Sequence, residues 1–585
     1  MESTITKTNV ITLKIDGVEI KTTLGKRILE AVLDNNIYIP NLCSLRDVEQ
    51  AFGACRLCQV KIEGKEGFVT ACSEPAAEGM VIYSNTPEVN AVRRKILQMM
   101  LARHAFACLE CHRRERCKPG GTCLRLASVN EQFCILCPNN GRCELQRASD
   151  FIGLGEMPYP YTPKGYPIER ENPFIVRNNN LCILCGRCIR ADQEILGIEA
   201  IAFNRRGKDT YIGGAFGRPL LESGCTFCGS CVEVCPTGAL KDVGAEWQPW
   251  PDPKRAMIRC MYACAAGVDV PRFIRFIRER KYNEALRVIQ EKVPFAHICS
   301  RLCSRPCEIA CRRSKLDQGL AIRALERFAA ERASVKWPSE VKAKASGKKV
   351  AIIGSSPAGL TAAYYLAKKG GHGVTILESE PQVGGMLRTA PEYELPRQVL
   401  DDELGMLKRL GLEIKTQVQA ESIDKLFQDG FHAVFVATDT GKVTELGIKV
   451  NPDDLSTGRK GVFAISDAVS GKHIFIRGVA AGRRAAISID IHLGGSGNYD
   501  EVLAPVQEGI PRIGRMPNFS QRKRVTMPTT SVEQGKGKLA KAESGFSDEA
   551  GAAEALRCLG CDLRFMVAKL VAQPPLTGVK AKAKS

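Results

Sequence analysis

No apolar run in this sequence approaches the roughly 20 residues that a membrane-spanning helix needs, so no transmembrane segment is expected. The opening Met1-Glu-Ser-Thr-Ile-Thr-Lys7 lacks the apolar core of a secretion signal. On that reading the chain is cytoplasmic, and its cysteines are not expected to pair as disulfides. Basic residues are plentiful, but no basic–aromatic module accompanies them, which sets nucleic acid aside as a partner. No nucleophile, acid–base pair or metal–water site stands out, so hydrolysis and group transfer have no candidate residues.

What the sequence does have is cysteine: 26 in 585 residues. Closely spaced cysteines in an intracellular chain read as metal ligands. Hydrophobic content of 44% and charged content of 25% are otherwise those of an ordinary globular protein, and the length calls for several domains. The net charge of +19 draws partly on Gln521-Arg-Lys-Arg524 and Lys580-Ala-Lys-Ala-Lys584. A solvated tail is the simplest reading of these stretches, with a docking surface for acidic redox partners as the alternative.

Residues 9–40 read as a hairpin turning at Asp16-Gly17, followed by a helix. Val92–His104 reads as a helix leading into a loop-rich, cysteine-dense segment to residue 245, where clusters would supply much of the folding energy. Helical periodicity marks 270–292 and Leu320–Ala333, and a βαβ texture begins at Lys348 and runs to about residue 495. Beyond 501 the composition predicts an extended or partly disordered basic tail, with one short helix at Asp548–Leu556 before Cys558-Leu-Gly-Cys561.

Cys43, Cys55, Cys58 and Cys72 give two single ligands and one tight pair, the way a β-grasp ferredoxin wraps a [2Fe–2S] centre. A zinc ribbon would need two matched CxxC knuckles, and only one is present. The order hairpin, helix, Pro40-x-Leu-Cys43, Cys55-Arg-x-Cys58, Ala71-Cys72-Ser, helix, His104 resembles the large iron–sulfur subunit of complex I. It equally resembles the related subunits of soluble NAD-linked hydrogenases and formate dehydrogenases. In that family a His-x3-Cys-x2-Cys-x5-Cys motif binds a [4Fe–4S] cluster, which implies His104, Cys108, Cys111 and Cys117 as ligands here. A second run, Cys134-x2-Cys137-x5-Cys143, carries the family's closing Cys143-Glu-Leu-Gln146, with Cys123 between the runs. The favoured partition is His104/Cys108/Cys111/Cys117 and Cys123/Cys134/Cys137/Cys143, with exchange of ligands between the two sets left open.

Cys182-x2-Cys185-x2-Cys188 and Cys225-x2-Cys228-x2-Cys231-x3-Cys235-Pro236 form the paired runs of a two-cluster ferredoxin, in which each run lends its last ligand to the other cluster. Cys235 should complete the set of Cys182, Cys185 and Cys188. The reciprocal position is Asp192, so the Cys225/Cys228/Cys231 cluster has either a carboxylate ligand or only three protein ligands.

Cys260-x3-Cys264 and Cys299-x3-Cys303-x3-Cys307-x3-Cys311 resemble the iron–sulfur domain of the glutamate synthase small subunit, dihydropyrimidine dehydrogenase and NADPH:ferredoxin transhydrogenase. That resemblance implies Glu326 as a candidate non-cysteine ligand. The family's first CxxC is absent upstream of Cys260, and Cys558 and Cys561 are expected to replace it. Val350-Ala-Ile-Ile-Gly354-Ser-Ser356-Pro-Ala-Gly359 reads as strand, glycine-rich turn and helix, with Glu378 placed for a ribose hydroxyl. Together with Gly384, Gly385 and Asp467 it resembles the FAD-binding members of the same family, although Ser356 and Ser466 stand where glycines are usual. The relatives' inserted NAD(P)H domain is missing, because only 19 residues separate Gly441 from Gly461.

The fold expected is multidomain, α+β and α/β. It comprises a β-grasp [2Fe–2S] domain (1–100), a His/Cys cluster segment (101–150), a two-cluster ferredoxin-like domain (151–245), a helical iron–sulfur domain (246–345), a truncated FAD-type Rossmann-like domain (346–500) and the tail (501–585). The ligands suffice for one [2Fe–2S] and about five or six [4Fe–4S] clusters. The resemblances imply an electron-transfer subunit of an oxidoreductase. It would join an NAD(H)-binding flavin subunit, a small [2Fe–2S] subunit and ferredoxin to a hydrogenase or formate dehydrogenase catalytic subunit, an arrangement that an electron-bifurcating complex would use. The alternatives are a stand-alone NAD(P)H-dependent flavoenzyme of the glutamate synthase small subunit or transhydrogenase type, and a redox-silent scaffold.

Overall fold

The computed structural model describes residues 10–111, 123, 134–245, 250–335, 342–438, 449–465, 474–533 and 539–574. The chain divides into two units. The first comprises Met1–Ala256, Gln507–Arg522 and Leu559–Ser585, the second Met257–Val506 and Lys523–Cys558.

In the first unit, β1 (Val10–Ile15) and β2 (Val18–Thr23) pair antiparallel around Asp16-Gly17, both at positive φ as a tight hairpin turn requires. With β3 (Gln59–Ile62), β4 (Val69–Thr70) and β5 (Val81–Tyr83) they form a sheet of order β2-β1-β5-β3-β4, in which β1 runs parallel to β5. Helix Ile28–Asp34 packs its apolar residues into the same core as Leu13, Ile15, Val60 and Ile82. Helix Pro87–Leu101 begins where the Thr86 side chain accepts from Val89 N, with proline at the first position, where a missing N–H costs nothing. Its Leu97 and Leu101 pack with Leu145, Ala148 and Ile152 of helix Glu144–Ile152.

Further along, β6 (Ile168–Glu169), β7 (Ile175–Asn178) and β10 (Leu240–Asp242) form a three-stranded sheet of order β10-β7-β6. Between β7 and β10 lies the hairpin of β8 (Ile201–Asn204) and β9 (Tyr211–Gly214).

The second unit opens with helices Val270–Arg278, Tyr282–Gln290, Ala296–Leu302 and Ile322–Arg332, whose inward faces share one core with the sheet that follows. That sheet is wholly parallel, of order β13-β12-β11-β14-β15. Its strands are β11 (Lys349–Ile353), β12 (Gly373–Leu377), β13 (Glu413–Lys415), β14 (Ala433–Val436) and β15 (Val462–Ala464). Near-continuous apolar strands such as Ala433–Val436 are the signature of a sheet covered on both faces.

The segment beyond 501 differs from the extended tail that its composition predicts. It carries the hairpin β16 (Thr529–Glu533) and β17 (Leu539–Glu543) and helices Asp548–Ala555 and Leu563–Val567. The physical reason is that several of its basic residues are buried in ion pairs. Arg557 pairs with Glu554 and Asp317 at 2.8 Å each, in the second unit. Arg564 pairs with Glu233 at 2.8 Å and Asp242 at 2.9 Å, in the first.

Candidate iron–sulfur centres

Among the described residues no three His, Cys, Asp or Glu side chains converge on the point a single metal ion would fill. The cysteines come together in looser groups, as ligands spread around a body larger than one ion would be. The first group is the one the spacing predicts. Cys55 N donates to Cys43 Sγ and Leu42 N to Cys55 Sγ, each at 3.4 Å, and Cys58 pairs with Cys72. The Cys58 thiol is pushed up by its hydrogen bond to Cys72 and by burial. Crowded, buried thiolates are costly alone and become favourable when they share the positive charge of iron.

In the ferredoxin-like segment the structure brings one predicted set together. Cys182, Cys185, Cys188 and Cys235 line one cavity together with Ile183, Ile212 and Leu240. Each run turns through a non-glycine residue in the left-handed region, Leu184 at φ 56° and Phe227 at φ 56°, ahead of Gly186 and Gly229. Such backbone is strained for large apolar residues, and here it aims the amides inward. Leu184 N donates to Cys182 Sγ and Phe227 N to Cys225 Sγ, both at 3.4 Å. Amide-to-sulfur bonds of this kind stabilise thiolates and raise cluster potentials.

Asp192 sits in a π-turn over Ala191–Ile195, a feature that recurs at functional sites. Its carboxylate is within electrostatic reach of Cys225, Cys228 and Cys231. One oxygen, Oδ2, accepts from Ala200 N at 2.7 Å and Ile201 N at 3.0 Å. Burial pushes its carboxyl up to about 6 against those two amides. The aspartate is thus beside the three thiols but partly committed to the backbone.

His104 departs from the favoured partition. It lines a cavity with Cys134, Cys137 and Cys143, whereas Cys108 pairs with Cys134, and Cys123 packs against those two. Three-residue spacing points to Cys108, while helix packing places His104 in the cavity of the second run. Leu97 and Leu101 dock helix Pro87–Leu101 on the helix that starts after Cys143, and His104 follows directly. The imidazole is buried, with Nδ1 3.2 Å from the Ala105 carbonyl. That carbonyl can accept only if Nδ1 carries the proton, which leaves a lone pair on Nε2. Nε2 is buried without a hydrogen-bond partner, although the Leu181 carbonyl is close by. Burial pulls its pKa down to about 4, so the ring is neutral at physiological pH. A buried, neutral imidazole in a cavity lined by three cysteines suits an iron–sulfur cluster well. Cys117 lies outside the described residues.

These groups adjoin one another. Cys143 Sγ lies 3.5 Å from the carbonyl of Pro236, next to Cys235. Cys137 packs with Cys182 and Cys235, and Cys43, Cys55, Cys143 and Cys185 share one apolar cluster. Buried cations stand among them, which cysteine spacing does not announce. Arg187, inside the Cys185–Cys188 run, is fully buried, yet Glu144 at 2.8 Å offsets that burial and holds it charged. Arg177 and Arg564 act electrostatically on Cys231.

In the second unit, Cys264, Cys299 and Cys307 each feel the Glu326 carboxylate, and Glu326 in turn feels Cys303. Glu326 is buried, and burial followed by Cys303 pushes its carboxyl far above the usual range. A cationic cluster body at this position would relieve that cost. Cys260, Cys311 and Cys558 are half-buried against the same core. Cys561 belongs to the first unit.

At the glycine-rich turn, Gly354 has φ 96° and Gly384 φ 124°. A Cβ on Gly359 would collide with the Gly354 carbonyl, and one on Gly385 would sit 3.6 Å from that of Ser355. Ser356 caps helix Pro357–Lys368 through Gly359 N. Glu378 accepts from Ser355 N at 2.9 Å and from Ser355 Oγ, while Ser355 Oγ accepts from Gly384 N at 2.8 Å. The groups that would hold a dinucleotide are therefore engaged with one another, and a ribose would have to displace Ser355 from Glu378. Asp467 lies outside the described residues.

Comparison with known families assigns these modules. A 2Fe-2S iron-sulfur cluster binding domain matches residues 8–87. The ferredoxin-like domain of NADH-quinone oxidoreductase subunit 3 matches 172–241. Dihydropyrimidine dehydrogenase domain II, 4Fe-4S cluster, matches 255–337. An NAD(P)-binding Rossmann-like domain matches 352–436, a description that names NAD(P) where the sequence reading names FAD. The chain is thus built of iron–sulfur modules of both the [2Fe–2S] and [4Fe–4S] kinds and a Rossmann-like domain, and both resemblances read from the sequence hold.

Among whole proteins, the NADPH-Fe(3+) oxidoreductase subunit alpha of Geobacter sulfurreducens is 32% identical over 263 residues, 45% of this chain and 27% of that protein. The NADP(+)-dependent formate dehydrogenase subunit beta of Moorella thermoacetica is 32% identical over 321 residues, 49% of this chain and 44% of that protein. This chain therefore spans less than half the length of either. Among solved structures, a chain of an NAD+-reducing [NiFe]-hydrogenase in the H2-reduced state aligns over 42% of this chain and 91% of its own. It does so at 26% identity with a TM-score of 0.34, too low to argue a shared fold. No helix among the described residues is long and apolar enough to cross a membrane.

Proposed function

We propose that this chain is an electron-transfer iron–sulfur subunit of an NAD(P)-linked oxidoreductase complex of the hydrogenase or formate dehydrogenase type. The observation that carries the proposal is the adjacency of two cluster cavities in one unit. One is lined by His104, Cys134, Cys137 and Cys143, the other by Cys182, Cys185, Cys188 and Cys235, and Cys137 packs directly on the second set. A metal-stabilised scaffold has no need of neighbouring centres; a conductor does. When bound, the clusters supply one-electron chemistry. This chain's residues hold them, exclude water with Leu, Ile and Phe side chains, and tune them with amide-to-sulfur bonds and buried guanidiniums.

The first sheet, with β1 parallel to β5 and one helix across it, supports a β-grasp [2Fe–2S] domain. Grouping His104 with Cys134, Cys137 and Cys143 would leave Cys108, Cys111, Cys117 and Cys123 for a further cluster, adjoining the first where Cys108 pairs with Cys134. Partners of the kinds the relatives' names imply, an NAD(P)(H)-handling subunit and a catalytic hydrogenase or formate dehydrogenase subunit, would take the two ends, with ferredoxin and a bifurcating arrangement as further possibilities of the same reading. FAD is the dinucleotide that the glutamate-synthase resemblance implies for Gly354, Gly359, Glu378, Gly384 and Gly385.

Purification of the native complex under anaerobic conditions tests the proposal. The chain should co-purify with a nicotinamide-nucleotide-oxidising flavin subunit and a catalytic subunit, and added NAD(P)H should reduce its clusters only in their presence. Rapid reduction of the isolated chain by NADPH would instead establish the stand-alone flavoenzyme.

A further inference from the structure

The second unit holds a polar cavity of about 200 Å³ that neither the cluster ligands nor the dinucleotide cradle uses. Its walls include Arg301, Arg323, Arg327, Lys541 and Glu543, with Tyr393 and Glu394 at one side. Their convergence follows from the elements. Arg323 and Arg327 are one turn apart on helix Ile322–Arg332, flanking Glu326. Arg301 lies in the last turn of the helix that ends at Cys303. Lys541 and Glu543 alternate onto one face of β17.

The cavity is short of negative charge. Arg301 Nη2 and Arg327 Nε both donate to a single oxygen, Glu331 Oε1, at 3.0 and 2.6 Å. Arg323 is matched by Glu543, but Lys541 has no ion-pair partner among the described residues, and Glu394 is exposed to solvent. Arg301 is mostly buried. Two guanidiniums sharing one oxygen beside the Lys541 ammonium form a site that an oxyanion would complete.

We propose that this cavity binds a phosphate-type oxyanion. Guanidinium forks match phosphate oxygens two at a time, and a lysine adds a mobile point charge. The volume falls below the roughly 300–1,000 Å³ of pockets that enclose a whole drug-sized ligand. It therefore suits inorganic phosphate or pyrophosphate, or the phosphate end of a nucleotide whose remainder lies outside. Arg323 also acts on Cys303 and Glu326. An anion that draws on Arg323 removes positive charge from that cluster site and makes a cluster there harder to reduce. This second consequence rests on the cluster reading; the anion site does not.

Titration calorimetry on the full-length, cluster-loaded chain, with inorganic pyrophosphate as the probe, tests the site. Saturable binding is expected, weakened at least about tenfold by Arg327→Gln and by Lys541→Gln. Lys541 has no ion pair among the described residues, so its variant keeps the test valid if Arg327→Gln misfolds. Displacement of pyrophosphate by ADP, lost in the same variants, identifies a nucleotide phosphate as the occupant. Displacement by inorganic phosphate alone identifies the free ion. No heat up to about 10 mM pyrophosphate, or binding that both variants leave undiminished, overturns the site. Potentiometric EPR with and without pyrophosphate reads the coupling: the centre lost in Cys303→Ala should move to more negative potential, and an unmoved centre overturns the coupling.

Discussion

At the scale of single residues, His104 is the sharpest case. If its imidazole shares a cluster with Cys134, Cys137 and Cys143, then His104→Ala and Cys137→Ala should abolish the same EPR signal and about four iron atoms each. Cys111→Ala should abolish a different one. A shared loss between His104→Ala and Cys111→Ala, with Cys137→Ala separate, would restore the partition that sequence spacing suggests. His104→Cys should keep the cluster and lower its potential by on the order of 100 mV, because thiolate adds a negative charge where imidazole adds none.

Asp192 sets a second test. Its Oδ2 is held by two amides, so the iron it faces should be easily lost. Mild oxidation should convert that centre to a three-iron form in the native protein and leave it intact in Asp192→Cys. Oxidation that affects both equally would mean that the corner is not the weak point. Glu326 is buried among thiols, and Glu326→Ala should remove or shift one EPR signal while helix Ile322–Arg332 stays folded.

At the scale of elements, one carboxylate ties the Rossmann-like half of the second unit to the helix bearing Cys299. Glu403, on helix Arg397–Arg409, accepts from His297 N at 2.8 Å and Ile298 N at 2.9 Å, at the start of helix Ala296–Leu302. Burial outweighs the two amides and the nearby Arg301, and pushes the carboxyl up to about 8. An acid raised above its unfolded value of about 4.3 stabilises the fold in its protonated form. Its contribution is therefore complete below about pH 4 and is lost as pH rises toward about 8. Thermal midpoints of the second unit should fall over that window in the native chain and stay flatter in Glu403→Gln. Equal slopes in the two proteins would exclude Glu403 as the cause.

Elements of this kind were legible in the sequence to different degrees. The Asp16-Gly17 hairpin, the helix into His104 and the strand–turn–helix at Gly354 announce themselves by turn chemistry and periodicity, which are local. The hairpin β16–β17 and the buried Arg557 and Arg564 do not. A basic, proline-containing stretch has the composition of a solvated tail, and only tertiary carboxylates such as Asp317, Glu233 and Asp242 make it structure.

At the scale of the whole molecule, cysteine spacing nominates the ligands within each run, because a cluster's corners are reached by neighbouring residues. Spacing does not say how runs combine: His104 lines a cavity with Cys134, Cys137 and Cys143, and the packing of the two flanking helices has no mark in that spacing. The dinucleotide fold was legible, but the internal engagement of Ser355 with Glu378 was not, because a serine in a glycine-rich turn gives no sign of its partner. What the molecule as a whole claims is a series of redox-active iron–sulfur centres. Stepwise reduction of the anaerobically purified chain, followed by EPR with iron and acid-labile sulfide counted on the same sample, tests that claim most directly. One [2Fe–2S] signal, several distinct [4Fe–4S] signals at separate potentials, and iron matching sulfide are expected. An absence of reducible iron–sulfur signals in a sample with full metal content would contradict it.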